Sequence, residues 1–242
     1  MKNKKALILA GGLGTRLRPL TFAIPKPLIP VRGRPIIDYI LSRLVQFGLD
    51  DVYISLNYRA DLIKLYLTDW KNKEKVSIRY FEETAPLGTA GPLAFLKKCN
   101  INLKRGESVL VINGDILTDL DFGRFASEHD RKNADLSVAV IKFTHSLAYG
   151  VLDMDNEDNI TGVREKPSVD YSASAGIYLV GQRSLGLVPK RFFTMPELID
   201  ASRKNGLRVA GYRIKEHWLA IEQIKNLEEV NEMKKKDWIS KL

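Results

Sequence analysis

The sequence predicts a three-layer α/β/α fold built around a mixed, mainly parallel central sheet. Short apolar runs alternate with amphipathic stretches throughout the first 140 residues. The runs at 52–56 and 109–112 are almost continuously apolar, which is typical of strands that are buried on both faces. Strand–helix alternation of this kind produces right-handed crossovers between parallel strands. The second half is richer in strands, so we expect it to form the other wall of a site at the carboxyl ends of the first strands.

The predicted strands are short apolar runs: Ala6–Ala10, Val52–Asn57, Val76–Tyr80, Ser108–Ile112, Leu136–Ile141, Ala173–Val180 and Leu207–Arg213. The predicted helices carry apolar residues at helical spacing: Ile36–Phe47, Ala60–Asp69, Pro92–Lys98, Phe122–Arg131, Pro196–Lys204 and Ile224–Lys235. The basic and apolar start of the chain is similar to a signal peptide. Its apolar stretch ends at a double glycine followed by Arg16, so we interpret it as the first strand. We see no internal repeat or linker, and we expect one domain over residues 1–242.

Composition excludes several classes of function. A single cysteine, Cys99, rules out an internal disulfide and favours a reducing, cytoplasmic location. The three histidines, His129, His145 and His217, are scattered and give no zinc spacing. No apolar run reaches the roughly 18 residues of a membrane span, so we expect no membrane association. The formal net charge is +9, and the first 37 residues contain eight Lys/Arg and no Asp/Glu. This distribution predicts an anionic ligand, either phosphates or nucleic acid.

A glycine-rich loop, Gly11-Gly12-Leu13-Gly14-Thr15-Arg16, follows the first strand directly. Glycines let backbone N–H groups approach phosphate oxygens, and an arginine holds phosphates through its guanidinium fork. Two other phosphate motifs do not fit. A dinucleotide fingerprint needs a third glycine where Leu17 stands, and a Walker A loop needs Gly-Lys-Ser/Thr. Basic residues interleaved with aromatic ones, which single-strand binders use, are absent from the sequence, so we expect no nucleic-acid partner.

The segment Gly11–Arg34 resembles the signature of the nucleotidyltransferases that make NDP-sugars, which include mannose-1-phosphate guanylyltransferases. Further blocks follow in family order: 86–91 (PLGTAG), 113–115 (NGD), 149–151 (YGV), 165–167 (EKP) and 174–178 (SAGIY). The resemblance implies a Rossmann-like nucleotidyltransferase fold. Residues 1–140 would then bind the nucleotide, and residues 141–242 would bind the sugar phosphate. It also implies that a sugar 1-phosphate attacks the α-phosphorus of an NTP and that pyrophosphate leaves.

The resemblance assigns roles to individual residues. Arg16 should hold the leaving phosphates and Lys26 should reach the α-phosphate, which makes these two the expected catalytic residues. Residues expected to contact the nucleotide are Ala10, Gly11, Gly12, Gly14, Thr15, Arg16, Glu83, Gly88 and Thr89. Glu83 stands where the family reads the base edge. A carboxylate only accepts hydrogen bonds, which suits the two adjacent donors of guanine, although uridylyl members can carry a Glu here too.

The sugar phosphate and the metal have implied contacts as well. The residues expected to bind the sugar phosphate are Gly150, Glu165, Lys166 and Ser174. Ser174 stands where the family usually has Asn, which predicts an altered sugar pocket. Asp115 comes directly after an apolar strand and a glycine, where its carboxylate would hold Mg²⁺ against phosphate oxygens.

One departure from the family pattern concerns the metal. The family has Trp-Leu-Asp-Ile-Gly where this chain has Trp218-Leu219-Ala220-Ile221-Glu222. Ala220 therefore replaces the expected second metal ligand. Either the enzyme is naturally impaired, or Glu222 ligates the metal instead, or Ala220 is an engineered substitution.

The functional expectation is NTP + sugar 1-phosphate → NDP-sugar + pyrophosphate, dependent on Mg²⁺. GTP with a mannose- or heptose-type phosphate is the first choice, and UTP, CTP or dTTP with another sugar phosphate is the alternative. A binding paralogue without turnover is a second class, supported by Ala220. A homo-oligomer is possible from the sequence alone.

Overall fold

The computed structural model describes residues 5–99, 101, 103, 106–233 and 237–242. Its strands are β1 (Lys5–Ala10), β2 (Pro30–Val31), β3 (Arg34–Pro35), β4 (Asp51–Leu56), β5 (Ser77–Glu82), β6 (Ser108–Asn113), β7 (Ile116–Thr118), β8 (Leu136–Ser146), β9 (Val151–Met154), β10 (Ile160–Arg164), β11 (Ser168–Gly181), β12 (Val209–Arg213) and β13 (Trp218–Ala220). Its α-helices are α1 (Leu20–Ala23), α2 (Ile36–Gln46), α3 (Ala60–Thr68), α4 (Leu93–Lys98), α5 (Phe122–Arg131), α6 (Gln182–Gly186), α7 (Met195–Lys204) and α8 (Ile224–Glu232).

Seven strands form the central sheet in the order β12-β8-β11-β6-β1-β4-β5. β1 pairs in parallel with β4 and β6, β4 with β5, and β8 with β12, whereas β11 runs antiparallel to both of its neighbours. The predicted mixed, mainly parallel sheet is therefore confirmed. The carboxyl ends of β1, β4, β5 and β6 meet at one edge, which places the loops that follow them side by side.

Two apolar cores cover the two faces of this sheet. Alternate residues of a strand point to opposite faces, so Ile8 of β1 lies in one core and Leu7 lies in the other. Residues of α2, α3, α5 and α8 pack into the first core, and residues of α4, α6 and α7 pack into the second. The helices thus form two outer layers, and the three-layer α/β/α prediction is confirmed.

Two strands are longer than the sequence pattern predicted. β8 continues past Ile141 to Ser146, and β11 begins at Ser168 rather than at Ala173. The side chains of these extensions are mostly exposed, so they lack the apolar run that marked the buried halves. The hairpin β9–β10 escaped prediction for the same reason. Four further strands were missed because they are very short: β2, β3, β7 and β13.

The longer helices lie within a few residues of their predicted bounds. Predicted α8 reached Lys235, but the helix ends at Glu232 and residues 234–236 lie outside the described residues. Asp121 caps the start of α5, and Thr194 and Glu197 form a capping box at the start of α7. None of the helices in the described part of the chain combines the length and apolarity that crossing a bilayer requires.

Candidate active site

A cavity of about 350 Å³ opens at the edge where the parallel strands end. Its walls come from the ends of β1 and β6, from the segments that follow β1, β5 and β6, and from the later loop that carries Phe192. The lining residues are Leu9, Ala10, Gly11, Gly12, Gly14, Lys26, Pro27, Glu83, Pro86, Leu87, Gly88, Thr89, Asn113, Gly114, Asp115 and Phe192. The fold thus brings into one cavity most of the residues that the sequence assigned to the nucleotide and the metal.

The glycine loop is held in shape by the segment behind it. Gly14 has φ +61°, a left-handed conformation that favours glycine. A Cβ at Gly14 would lie 2.8 Å from Cγ2 of Thr21, and Thr21 Oγ1 donates to the Gly14 carbonyl at 3.0 Å. By contrast, a Cβ at Gly12 would meet no atom within 4 Å. The loop is therefore packed tightly on one side and open on the other, as a backbone that receives a ligand should be.

Lys26 and Asp115 form an ion pair at the floor of the cavity. Lys26 begins a 3-10 turn, Lys26–Leu28, in which Leu28 N–H donates to the Pro25 carbonyl at 2.8 Å. Asp115 follows Gly114, whose N–H donates to the Leu9 carbonyl at 2.8 Å. The two side chains are only 16% and 20% exposed. Their charges are thus held together away from bulk water, close to where β1 and β6 end.

Arg16 and Glu222 form a second, more exposed pair beside the first. The Glu222 carboxylate accepts from the Arg16 guanidinium at 2.5 Å, with side chains 48% and 67% exposed. The pair lines an adjoining cavity of about 250 Å³ together with Gly14, Thr15, Lys26 and Asp115. The predicted leaving-phosphate arginine therefore meets a carboxylate in this structure. An exposed pair is worth about 0–1 kcal/mol, so an incoming polyphosphate can displace it.

The position of Ala220 follows from a short two-stranded sheet. β13 pairs antiparallel with β7, with Ala220 opposite Ile116, and Ile221 N–H donates to the Asp115 carbonyl at 2.9 Å. Ile221 is fully buried, whereas Ala220 is partly exposed and Glu222 is exposed. The backbone that carries Ala220 and Glu222 therefore runs directly beside Asp115.

The donor set around Asp115 fits a magnesium-type ion that also binds substrate oxygens. Asn113 Oδ1 is buried without a hydrogen-bond partner, and Glu222 lines the cavity that adjoins Asp115. Mg²⁺ uses one or two protein carboxylates, several waters and substrate phosphates rather than a cage of protein ligands. Among the described residues there is no cluster of three or more His, Cys, Asp or Glu side chains that could hold a metal ion.

Glu83 is fixed in the wall of the first cavity. Its carboxylate accepts from Ser55 Oγ at 2.6 Å and from Leu87 N–H at 3.0 Å. Each carboxylate oxygen keeps a further lone pair for a ligand donor. A Cβ at Gly11 would lie 2.8 Å from the Glu83 carboxylate, which explains glycine there.

Phe192 lines the same cavity and was missed by the sequence analysis. Its ring is 54% exposed, and its loop is fixed because Phe193 donates to the Leu87 carbonyl and accepts from Ala90 and Gly91, all at 2.9 Å. Thr89 Oγ1 accepts from Met195 N–H at 2.8 Å, which ties the start of α7 to the same loop. No local motif marks Phe192, because the loop it contacts lies about a hundred residues earlier in the chain.

The residues expected to bind the sugar phosphate lie outside these two cavities. Glu165 and Lys166 are mainly exposed, with a 3.9 Å charge separation, and a Cβ at Gly150 would lie 3.3 Å from the Glu165 carboxylate. Ser174 Oγ is 2.8 Å from the Tyr178 hydroxyl, and burial raises the pKa of that hydroxyl. Asp115 lines both cavities, but neither cavity is lined by Gly150, Glu165, Lys166 or Ser174. Their roles stay predictions.

Known proteins resemble this chain over most of its length. A family described as nucleotidyl transferase matches residues 5–187. The mannose-1-phosphate guanylyltransferase catalytic subunit beta of Dictyostelium discoideum is 37% identical over 178 residues, covering 72% of this chain and 49% of that protein. The mannose-1-phosphate guanyltransferase of Schizosaccharomyces pombe is 30% identical over 226 residues, covering 92% of this chain and 62% of that protein.

A solved structure shares the fold. HddC from Yersinia pseudotuberculosis, crystallised with GMP-PN, superposes with a TM-score of 0.72 at 25% identity, covering 94% of this chain and 98% of that one. The chain spans about half the length of several of the curated relatives it matches. The match to residues 5–187, together with relatives more than 30% identical over most of the chain, shows that this chain belongs to the nucleotidyl transferase family.

Proposed function

We propose that the chain transfers GMP from GTP to a mannose- or heptose-type sugar 1-phosphate, which yields a GDP-sugar and pyrophosphate. The strongest support is a single cavity lined by the open glycine loop, the Lys26–Asp115 pair and Glu83. These groups suit the phosphates, the metal and the base of one nucleotide. The relatives named as guanylyltransferases, and the neighbour crystallised with GMP-PN, favour guanine over other bases.

In this proposal an oxygen of the sugar phosphate attacks the α-phosphorus in line, and the bond to the pyrophosphate oxygen breaks. Both reactants are anions, so the chain acts by orienting them and by offsetting negative charge. Lys26 would contact the α-phosphate, where charge develops. Arg16 would exchange Glu222 for the leaving phosphates. A divalent ion, which we propose is Mg²⁺ held by Asp115, would supply further positive charge.

The base would lie between Glu83 and Phe192. The carboxylate of Glu83 offers acceptors to the two adjacent donors on the guanine edge. Phe192 would stack on the face of the ring, since its aromatic side chain is exposed in the cavity wall and its backbone is fixed. Stacking is indifferent to base identity, so Glu83 would carry the preference for guanine.

The sugar phosphate would approach from the side of Gly150, Glu165, Lys166 and Ser174. Lys166 would bind the phosphate and Glu165 the sugar hydroxyls. We further propose a cytoplasmic location, which suits the single free cysteine of the chain, Cys99.

The test is pyrophosphate release from each of four NTPs combined with mannose, heptose, glucose and N-acetylglucosamine 1-phosphates in the presence of Mg²⁺. We expect GTP with the mannose or heptose phosphate to turn over fastest. The Lys26→Ala variant is the control and should release far less pyrophosphate from the same substrates. Fastest turnover with UTP would contradict the guanine assignment and leave the reaction class intact.

A second candidate is a nucleotide-binding protein without turnover. Two observations favour it: Ala220 offers a methyl group where the family has a carboxylate, and Arg16 is engaged by Glu222. Calorimetric GTP binding with no pyrophosphate release from any substrate pair would support this candidate and contradict the first.

A further inference from the structure

A carboxylate of the chain itself lies in the part of the site that we assign to the leaving phosphates. Glu222 lines the adjoining cavity of about 250 Å³ together with Arg16, Gly14 and Thr15 of the glycine loop. The Glu222 carboxylate accepts from the Arg16 guanidinium at 2.5 Å. A carboxylate and a phosphate both offer paired oxygens to a guanidinium, so the two compete for the same donors. Glu222 therefore engages the arginine that a polyphosphate would use.

The backbone is anchored beside both members of this pair. Next to Glu222, Ile221 is fully buried and donates its N–H to the Asp115 carbonyl at 2.9 Å. Next to Arg16, Leu17 is fully buried as well. The two charged side chains, in contrast, are 48% and 67% exposed. Rotation of these side chains is enough to separate the charges, so an exchange of partners at Arg16 needs no rearrangement of the fold.

The exposure of the Arg16–Glu222 pair also sets how strongly it resists a ligand. An exposed ion pair holds its members together by a factor of about five at most. The neighbouring Lys26–Asp115 pair is less exposed, at 16% and 20%, and is the harder of the two to open. The Arg16–Glu222 pair is thus weak enough for a polyphosphate to displace and strong enough to lower the affinity for that polyphosphate measurably.

We propose that Glu222 is a positioning residue that competes with the leaving phosphates for Arg16. It holds the guanidinium before the triphosphate binds, yields it to the phosphates and takes it back as pyrophosphate departs. The proposal rests on the proposed function, which assigns Arg16 to the leaving phosphates. Competition of this kind lowers the affinity for pyrophosphate, and lower affinity appears mostly as faster dissociation. The glycine that the family pattern has at this position offers no such anion.

Direct repulsion between the Glu222 carboxylate and a bound anion is a second way in which this residue would weaken phosphate binding. The two explanations differ in their dependence on Arg16. Competition disappears when the guanidinium is removed, whereas repulsion persists without it. A double-mutant cycle on Arg16 and Glu222 therefore separates the two explanations.

The test is calorimetric binding of inorganic pyrophosphate to the full chain in EDTA, so that any contact between Glu222 and a metal ion does not enter. We expect Glu222→Gln to bind pyrophosphate about three- to fivefold more tightly than the unmodified chain. In an Arg16→Ala background, the same substitution should leave the affinity unchanged.

Glu128→Gln is the matched control. It removes the carboxylate of another exposed pair, with Arg131 of α5, whose side chain is 67% exposed as that of Arg16 is. Glu128 belongs to neither cavity wall, so its replacement should leave pyrophosphate affinity unaltered.

Unchanged, weaker or absent pyrophosphate binding by Glu222→Gln would overturn the proposal. An equal gain in affinity with and without Arg16 would overturn it as well, since the effect would then be repulsion. The proposed function fails in a different way: if Arg16→Ala alone binds pyrophosphate as tightly as the unmodified chain, Arg16 does not hold the leaving phosphates.

Discussion

Gly114 and Lys166 illustrate how differently the two sides of the candidate site are built. Gly114 is bonded to β1 in the middle of the sheet, and the Lys26–Asp115 pair beside it is largely shielded from water. Lys166 lies between β10 and β11, in the β-arm of residues 142–172. Its side chain is two-thirds exposed, its φ is +43°, and its ammonium is 3.9 Å from the Glu165 carboxylate.

The first side is preorganised, and the second is exposed. The proposed nucleotide side takes its geometry from parallel strands that are buried on both faces, so its polar groups would need little rearrangement to act. The proposed sugar-phosphate side lies mostly in residues 142–172, whose strands are held mainly by pairing with each other. Substitutions on the nucleotide side should therefore affect turnover strongly, whereas those on the β-arm should affect sugar-phosphate binding more mildly.

Lys26→Ala should have the largest effect. We expect kcat to fall by about 10²–10³-fold, the usual loss when one preorganised charged group is removed from a developing negative charge. GTP affinity, measured by calorimetry, should change much less. Lys64→Ala, which removes a partly exposed lysine of α3 that pairs with Glu82 of β5, is the control and should leave both quantities unaltered. Comparable turnover by the Lys26 variant and the unmodified chain would remove Lys26 from the mechanism.

Ala220→Asp should raise kcat by about 10²-fold with little change in KM for GTP, since it restores a second carboxylate beside Asp115. Glu222→Ala tests the alternative, because Glu222 already lines the adjoining cavity. If Ala220→Asp leaves kcat unchanged and Glu222→Ala abolishes turnover, then Glu222 is the ligand. The dependence of the rate on Mg²⁺ concentration should shift only for the variant that alters the true ligand.

Phe192→Ala should weaken binding of every nucleoside triphosphate by about tenfold, within the range measured for loss of one stacked base. Inorganic triphosphate, which has no base, should bind equally to both chains. Phe22→Ala is a matched control, since Phe22 is 58% exposed and is not part of the cavity wall. A loss that extends to inorganic triphosphate would indicate a change in the loop rather than lost stacking.

Lys166→Ala should raise KM for the sugar phosphate by about five- to tenfold and leave GTP binding intact, because an exposed lysine contributes modestly to holding a phosphate. Lys142→Ala removes another lysine of the β-arm, one that pairs with Asp170, and should leave KM for the sugar phosphate unchanged. A drop in kcat as large as that of Lys26→Ala would contradict the division into two sides, since it would make the exposed side equally preorganised.

Much of the nucleotide side could be predicted from the sequence. The apolar run before Gly11 and the run before Asp115 each mark a buried parallel strand, and such strands end at one edge of the sheet. Their loops therefore had to meet, and they do so in a cavity that contains Lys26 and Glu83 as well. The strands of residues 142–172 escaped prediction because Phe143 and Tyr171 alternate with polar residues, as in half-exposed strands, whereas the predicted strands were marked by continuous apolar runs.

The sequence by itself determined the layer architecture, the parallel half of the sheet and the position of the loops that we propose bind phosphates, since strand burial and glycine placement leave a local pattern. The tertiary structure alone decided which distant groups meet. It sets Glu222 against Arg16 across 206 positions, brings Phe192 into the cavity wall and leaves residues 142–172 mostly exposed. Such contacts join residues that are far apart in the sequence, so no short segment of the sequence can predict them.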